Sequence, residues 1–144
     1  MYLDTALAAK LYISEPESPA VQRLIGERRQ PACSELLLAE FGSVLARYHR
    51  EEGMSDEDQR LVWAAFEHHV EQGHWNLVPI SRDVLLEAKR LTWECQETVP
   101  LRALDAIHLA TCSQFKLLPL FTTDRNLRRA AEHLGVPLGE LPAA

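Results

Sequence analysis

The chain has 144 residues, of which 47% are hydrophobic and 25% are charged, and its formal net charge is −6 at pH 7. This length suits one compact domain with its own core, so we expect residues 1–144 to form a single domain. Proteins that bind nucleic acid by surface charge alone are usually basic. If this acidic chain acts on a polyanion, a bound metal ion is needed to neutralise part of its negative charge.

The sequence contains neither a long apolar run nor a basic-then-apolar leader, so we expect no membrane partner and no secretory signal. The three cysteines are Cys33, Cys95 and Cys112, without a C-x-x-C spacing. Their odd number and scatter favour reduced thiols in a cytoplasmic protein.

Apolar, β-branched runs predict strands at residues 1–4, 31–33, 75–80 and 118–123. Amphipathic spacing and capping residues predict helices over residues 5–12, 18–29, 34–52, 55–72, 81–97, 101–112 and 125–134. This alternation predicts an α/β fold, a three-layer α/β/α sandwich with a mainly parallel central sheet. The two consecutive long helices joined at Gly53 are expected to form a projecting hairpin with an apolar face.

Four apolar segments each contain one carboxylate. Asp4 and Asp124 each follow a predicted strand, where the ligand crevice of an open α/β sheet is expected. Glu40 lies in "LLLAEFGSVLA", and Asp105 lies in "LRALDAIHLATC", a helix that we expect to be buried on most of its circumference. Each segment therefore places one charge in surroundings where an unpaired charge is costly.

Each of these acids also has a structural explanation. Asp4 and Asp124 are in position to cap the helices that follow them. Glu40 and Asp105 are candidates for ion pairs with nearby arginines, the more common arrangement for a buried acid. The candidate partners are Arg47 and Arg102.

Taken together, the four acids point to metal binding. Converging carboxylates repel one another and have raised pKa values unless a cation lies among them. Ligation by carboxylates alone selects Mg²⁺ or Mn²⁺ over zinc. Such a site suits phosphodiester hydrolysis, in which the metal activates a water, orients the phosphate and stabilises the leaving oxygen.

With these residues in place, the chain resembles the PIN-domain ribonucleases, specifically the VapC-type toxins of toxin–antitoxin pairs. Four stretches match the family pattern in order, and each contains one of the four acids: "YLDTALAAKLYISEPES" with Asp4 and Lys10, "SELLLAEFGSVLARY" with Glu40, "LRALDAIHLATC" with Asp105, and "LFTTDRNLRRAAEHLG" with Thr122 and Asp124. The similarity covers nearly the whole chain.

The resemblance implies a metal-dependent endoribonuclease that cuts RNA when its antitoxin is absent. Asp4, Glu40, Asp105 and Asp124 would bind one or two Mg²⁺ or Mn²⁺ ions and carry catalysis. It also implies a homodimer and a small VapB-like protein antitoxin, which binds near the helical hairpin and blocks the acidic pocket. Supporting contacts to these acids or to RNA are expected from Thr5, Lys10, Thr122 and Arg125.

One position departs from the family pattern, because Ala6 stands where Ser or Asn is common. That polar side chain usually supports the first carboxylate, a role that Thr5 is placed to take over. An alternative is therefore a catalytically weakened PIN domain that binds RNA or protein. A phosphatase that begins with Asp-x-Asp is a third possibility, which the missing second acid in Asp4-Thr5-Ala6 disfavours.

Other polar residues have two interpretations each. His108 is either a partner of the acidic site or a hydrogen-bonded core histidine. The arginines Arg125, Arg128 and Arg129 either steer RNA phosphates or form an ordinary solvated helix face. The group His68, His69 and His74 lacks the spacing of a zinc-binding helix and predicts an exposed patch.

Overall fold

In the computed structural model, which describes residues 1–26 and 29–143, four short strands form a parallel sheet in the order β3-β2-β1-β4. The strands are β1 (Tyr2–Leu3), β2 (Ala32–Ser34), β3 (Asn76–Val78) and β4 (Leu120–Phe121). β1 is central and pairs in parallel with β2 and with β4. The predicted α/β class with a parallel central sheet is confirmed.

In the described ranges, the sheet is flanked by seven helices: α1 (Thr5–Ala9), α2 (Ser18–Ile25), α3 (Leu36–Glu51), α4 (Asp56–Glu71), α5 (Arg82–Cys95), α6 (Ala103–Gln114) and α7 (Arg125–Leu134). The predicted extension of α2 to Arg29 is wrong, since the helix ends at Ile25 and Gly26 follows with a φ of 56°. Glu27 and Arg28 lie outside the described residues.

Side-chain caps fix several helix starts, as the sequence predicted. The Ser55 hydroxyl accepts a bond from the Asp58 backbone N–H at 3.0 Å and begins α4. The α3 helix differs, because Ser34 belongs to β2 and its hydroxyl accepts from the Leu36 N–H at 3.1 Å without being the N-cap. Gly135 ends α7 in the left-handed conformation with a φ of 70°, a geometry that favours glycine.

The predicted burial of α6 is confirmed for its middle and wrong for its first turn. The helix packs against α5, β2 and α7, and its buried residues run from Ala106 to Cys112, with Ile107 partly exposed. Leu104, in contrast, is 48% exposed. The first turn of α6 is therefore partly exposed, and Leu104 lines the same cavity as Glu40.

The α3–α4 hairpin packs inward through aromatic residues rather than standing apart from the core. The Phe41 ring lies 5.2 Å from Phe66 and 6.1 Å from Trp63, measured between centroids. On the α3–α4 hairpin, Leu38 and Leu61 remain 42% and 61% exposed. Among the described helices, none has the length and hydropathy needed to cross a bilayer.

Candidate active site

Asp4 and Asp124 lie side by side at the carboxyl ends of two neighbouring strands. Strands β1 and β4 are in register with Leu3 opposite Phe121, so the chain leaves the sheet at adjacent points. Each aspartate then caps a helix: one Asp4 oxygen accepts from the Leu7 N–H at 2.9 Å, and one Asp124 oxygen accepts from the Leu127 N–H at 2.8 Å. The predicted capping role is confirmed for both, and it fixes the orientation of both carboxylates.

Thr122 connects these two aspartates. Its hydroxyl donates to the second carboxylate oxygen of Asp4 and accepts from the Asp124 backbone N–H at 3.0 Å. Burial raises the pKa of the Asp4 carboxyl, the bonds from Thr122 and Leu7 offset part of this rise, and the nearby Asp124 charge adds to it. Thr122 therefore bonds the Asp4 carboxylate and the Asp124 backbone at once, and so keeps two acidic residues close although their charges repel each other.

Asp105 projects from the first turn of α6 toward the same group. Burial raises the pKa of its carboxyl above the ordinary value, and repulsion from Asp124 and, more weakly, from Glu40 raises it further. Arg102, the predicted ion-pair partner, is present, with its Nε 3.6 Å from the carboxylate, but its side chain is 79% exposed. An exposed pair of this kind contributes little. Arg102 and His108 both lower the pKa of Asp105, but burial and the Asp124 charge outweigh them.

Glu40 has a different environment, because a buried histidine binds it. One Glu40 carboxylate oxygen lies 2.5 Å from His108 Nε2 and accepts from the Thr5 hydroxyl at 2.8 Å. On its other side, His108 Nδ1 lies 2.6 Å from the Tyr2 hydroxyl, which itself accepts from the Ser34 backbone N–H at 2.9 Å. The interpretation of His108 as a hydrogen-bonded core histidine is confirmed, and it is also the direct partner of Glu40.

The pKa values of this pair move in opposite directions. Burial lowers the pKa of His108, but contacts with Cys33 and Glu40 outweigh it and raise the value to about 10. Burial raises the pKa of Glu40, whereas the His108 and Thr5 bonds outweigh it and bring the value below the ordinary range. Glu40 is therefore ionised and paired within the chain, while Asp4 and Asp105 have raised pKa values.

The other predicted site residues lie in three different settings. Thr5 supports Glu40, as described, and its hydroxyl makes no bond to Asp4 in the described residues. Lys10 Nζ binds the carboxylates of Glu15 and Glu17 at 2.6 and 2.7 Å, so the predicted contact with an acid of the site is wrong. Arg125 is exposed at the start of α7, one residue after Asp124.

Sequence reasoning missed the Tyr2–His108–Glu40 chain of hydrogen bonds. Its members are separated by 106 and 68 residues in sequence, so no local pattern connects them. The available signal was the polar residue in each apolar element: Tyr2 in β1, His108 one turn after Asp105, and Glu40 in α3. The ion pairs of Lys10, in contrast, are local in sequence and could have been predicted, since Glu15 and Glu17 follow within seven residues.

The donor set fits a hard divalent cation, since the four acids offer only carboxylate oxygens and two of them have raised pKa values. The side chains are not already gathered around one point: in residues 1–26 and 29–143, no three His, Cys, Asp or Glu side chains form a group that could hold a metal ion. The group His68, His69 and His74 likewise forms no metal-binding group in the described residues, although the rings of His69 and His74 lie 5.2 Å apart.

Comparison with known proteins agrees with the architecture. The family model of the PIN domain matches residues 1–133. Ribonuclease VapC46 of Mycobacterium tuberculosis H37Rv is 32% identical over 139 residues, which cover 94% of this chain and 93% of the relative. Ribonuclease VapC47 of Mycobacterium tuberculosis CDC 1551 is 28% identical over 141 residues, 94% of this chain and 92% of the relative.

Two solved structures share the fold. A toxin–antitoxin complex from Klebsiella pneumoniae aligns with a TM-score of 0.58 and 23% identity, covering 87% of this chain and 88% of the other. FitAcB from Neisseria gonorrhoeae aligns with a TM-score of 0.71 and 16% identity, covering 96% of both chains. The sequence family and the parallel sheet with its strand-end aspartates agree, and the chain belongs to the PIN-domain family.

Proposed function

We propose that this chain is a Mg²⁺- or Mn²⁺-dependent endoribonuclease, the toxin of a toxin–antitoxin pair. The observation that carries this proposal is the set of three aspartates, Asp4, Asp105 and Asp124, at one end of a PIN fold, where the pKa values of Asp4 and Asp105 stay raised although the buried cation His108 lowers both. Two relatives that align over nearly their full length are named ribonucleases, which supports RNA as the substrate.

In this proposal, the carboxylates of Asp4, Glu40, Asp105 and Asp124 hold the metal. A bound divalent ion supplies positive charge to the phosphate and lowers the pKa of a water. Thr122 orients Asp4 and Asp124 through one hydroxyl, while His108 and Thr5 hold Glu40 by one of its two oxygens. The chain thereby positions its acids before substrate binds, which lowers the entropy cost of assembling the site.

We further propose that residues 1–144 act as one domain in the cytoplasm, as a homodimer inhibited by a small protein antitoxin. The toxin–antitoxin complex that shares this fold supports such a partner. The exposed leucines Leu38 and Leu61 on the α3–α4 hairpin offer an apolar surface for it. The three buried, unpaired cysteines in the described chain agree with a reducing compartment.

A second candidate function is an RNA- or protein-binding module with weakened catalysis. Two observations favour it: the acids are not gathered as a metal-binding group in the described residues, and Ala6 offers Asp4 no hydroxyl. The two functions differ in one measurable property, since a binding module holds RNA without cleaving it.

The test uses the full chain purified without antitoxin. End-labelled RNA of mixed sequence is incubated with the protein while Mg²⁺ or Mn²⁺ is titrated from zero to 10 mM, roughly ten times a Kd on the order of 1 mM. Cleavage that requires metal and stops with EDTA is the expected result. The Asp124→Asn variant, purified in parallel, keeps a capping side chain and reports any contaminating ribonuclease.

If folded protein binds RNA but never cleaves it at any metal concentration, the binding module is the correct function. If the Asp124→Asn variant cleaves as fast as the unmodified chain, the activity belongs to a contaminant and the ribonuclease proposal fails.

A further inference from the structure

The face of α3 that carries Glu40 continues away from the acidic site with two arginines. Glu40, Ser43, Arg47 and Arg50 are spaced by three, four and three residues, which places them on one face of the helix. All four line a single cavity of about 590 Å³. Ten residues of helix rise about 15 Å, so the cavity leads from a carboxylate to a pair of guanidinium groups over that distance.

Both arginines are exposed, and neither forms an ion pair within the described chain. The Arg47 guanidinium lies over the Tyr48 ring, 5.5 Å from its centroid, an arrangement that fixes the side chain without neutralising it. The Arg47 charge also lowers the pKa of Glu15 and is partly offset by it, but in a chain of net charge −6 two exposed guanidinium groups on one cavity wall create a local attraction for anions.

The arginines of α7 differ, although the sequence marked them as a possible RNA contact. Arg128 donates to the Thr122 carbonyl oxygen at 3.2 Å and to the Glu140 carboxylate at 2.6 Å. Arg129 donates to the Thr98 carbonyl oxygen at 2.9 Å. These two guanidinium groups already hold parts of the fold together, which leaves Arg125 of α7 to compare with two arginines on one face of α3.

We propose that Arg47 and Arg50 bind backbone phosphates of a single-stranded RNA that lies along α3 and enters the site past Glu40. This inference rests on the proposed ribonuclease function and adds the path of the substrate. The guanidinium fork matches phosphate geometry, and single-stranded RNA exposes base faces that apolar groups can cover. Such groups line the same cavity at Leu36, Val44 and Leu104, of which Leu104 is 48% exposed.

The test measures binding separately from cleavage. A fluorescent single-stranded oligoribonucleotide is titrated by anisotropy in EDTA with unmodified protein, Arg47→Gln/Arg50→Gln, and the control Arg60→Gln/Arg82→Gln. The control removes the same two charges from exposed helix positions outside the cavity. We expect the α3 variant to bind on the order of tenfold more weakly, while the control stays within about twofold.

Salt dependence identifies phosphate contacts. For single strands, the slope of log K against log salt changes by about 0.7 for each phosphate contact, so the α3 variant should lose about 1.4 from its slope. Circular dichroism and the melting temperature confirm that both variants fold.

Three outcomes overturn the inference: equal weakening by both double variants, an unchanged salt slope in the α3 variant, or RNA affinity that is unchanged in the α3 variant. Failure of the ribonuclease proposal itself is distinguishable, because the unmodified chain would then show no metal-dependent cleavage, whereas failure of this inference leaves that cleavage unchanged in Arg47→Gln/Arg50→Gln.

Discussion

The molecule contains two acidic clusters that are neutralised in different ways. In the first, the lysine cluster, Lys10 Nζ lies 2.6 Å from Glu15 and 2.7 Å from Glu17, and the Tyr48 hydroxyl also donates to Glu15. In the second, the aspartate cluster of Asp4, Asp105 and Asp124, the exposed guanidinium of Arg102 lies 3.6 Å from Asp105, and His108, which is paired with Glu40, also lowers the pKa of Asp4 and of Asp105.

The pKa shifts record the same difference. Hydrogen bonds and attraction from Lys10 lower the pKa of Glu15 and of Glu17. Burial and repulsion from Asp124 raise the pKa of Asp4 and of Asp105. Lys10 therefore brings the pKa values of its two glutamates below the ordinary range, whereas the charges of His108 and Arg102 only partly offset the rise at the aspartates. This contrast is the physical basis for expecting an external cation at the aspartates only.

The largest expected effect comes from Asp105→Asn. We expect RNA cleavage to fall by more than about a hundredfold, because one ligand of the proposed metal is lost. The free energy of unfolding in metal-free buffer should stay the same or rise, because the variant relieves repulsion from Asp124. Cleavage kinetics and thermal denaturation in EDTA measure the two quantities.

The matched control is Asp83→Asn, which changes an exposed first-turn acid of α5. It should alter neither RNA cleavage nor the free energy of unfolding. A large loss of melting temperature in Asp105→Asn alone would show that Asp105 belongs to a structural ion pair, and the contrast between the two clusters would fail.

Lys10→Met should have the opposite effect to Asp105→Asn, with lower stability and nearly unchanged RNA cleavage. It leaves Glu15 and Glu17 without their cation, and after allowing for solvent screening we expect a loss of about 1 kcal/mol in the free energy of unfolding. In a domain of this size that corresponds to a fall of about 2–4 °C in melting temperature. Cleavage per folded molecule should stay within about twofold. Lys10→Arg keeps the charge and should recover stability.

If Lys10→Met melts like the unmodified chain but loses cleavage, Lys10 acts on the substrate, as its place in the family pattern suggests. The lysine would then belong to the active site, and the contrast between the two clusters would not hold.

The two clusters should also respond to pH with opposite signs. The folded pKa of Glu15 lies below its ordinary 4.5, so its contribution to stability is complete above pH 4.5 and is lost as pH falls through the folded value. The folded pKa of Asp105 lies above its ordinary 3.8, so its ionisation destabilises the metal-free fold, and this penalty disappears as pH falls through the folded value.

Urea denaturation of the variants at several pH values tests these signs. The deficit of Lys10→Met relative to the unmodified chain should shrink as pH falls below 4.5. Any advantage of Asp105→Asn should be complete at neutral pH and should vanish below pH 3.8. If the change in the free energy of unfolding of either variant is independent of pH, packing and not charge determines that change.

Much of the fold could be predicted because its signals are local. Asp124 followed by an amphipathic run, with Gly135 after it, defines α7 at both ends. The four acids could be identified from the sequence for a related reason. Each is the only charge in an apolar segment, and a buried charge needs a partner. The partner itself is a property of three-dimensional packing. His108 reaches Glu40 across 68 residues, and no periodicity in either helix encodes that contact.

The exposure of Leu104 was mispredicted for a similar reason. Its spacing from Leu101 and His108 fits a buried stripe, but burial requires a neighbouring element to cover the stripe. The fold leaves this side of the first turn of α6 open to solvent, so Leu104 stays 48% exposed and lines the cavity beside Glu40.

The smallest expected effect comes from Ala6→Ser, which restores the polar residue common in the family. Ala6 is exposed and lines the cavity beside Glu40, so a serine hydroxyl fits there without displacing the core. Asp4 already accepts bonds from Thr122 and from the Leu7 N–H, and Thr5 is committed to Glu40. A further donor therefore adds little, and we expect metal affinity to rise by less than about tenfold.

Isothermal titration with Mn²⁺ measures this change, and Ala39→Ser is the matched control because Ala39 is exposed on the α3 side of the same cavity. A rise confined to Ala6→Ser would show that the aspartate cluster is short of hydrogen-bond donors as well as of charge. Equal affinity in all three proteins would show that Thr122 and the α1 backbone already satisfy Asp4. Burial and the balance of charge, rather than hydrogen bonding, would then separate the aspartate cluster from the lysine cluster.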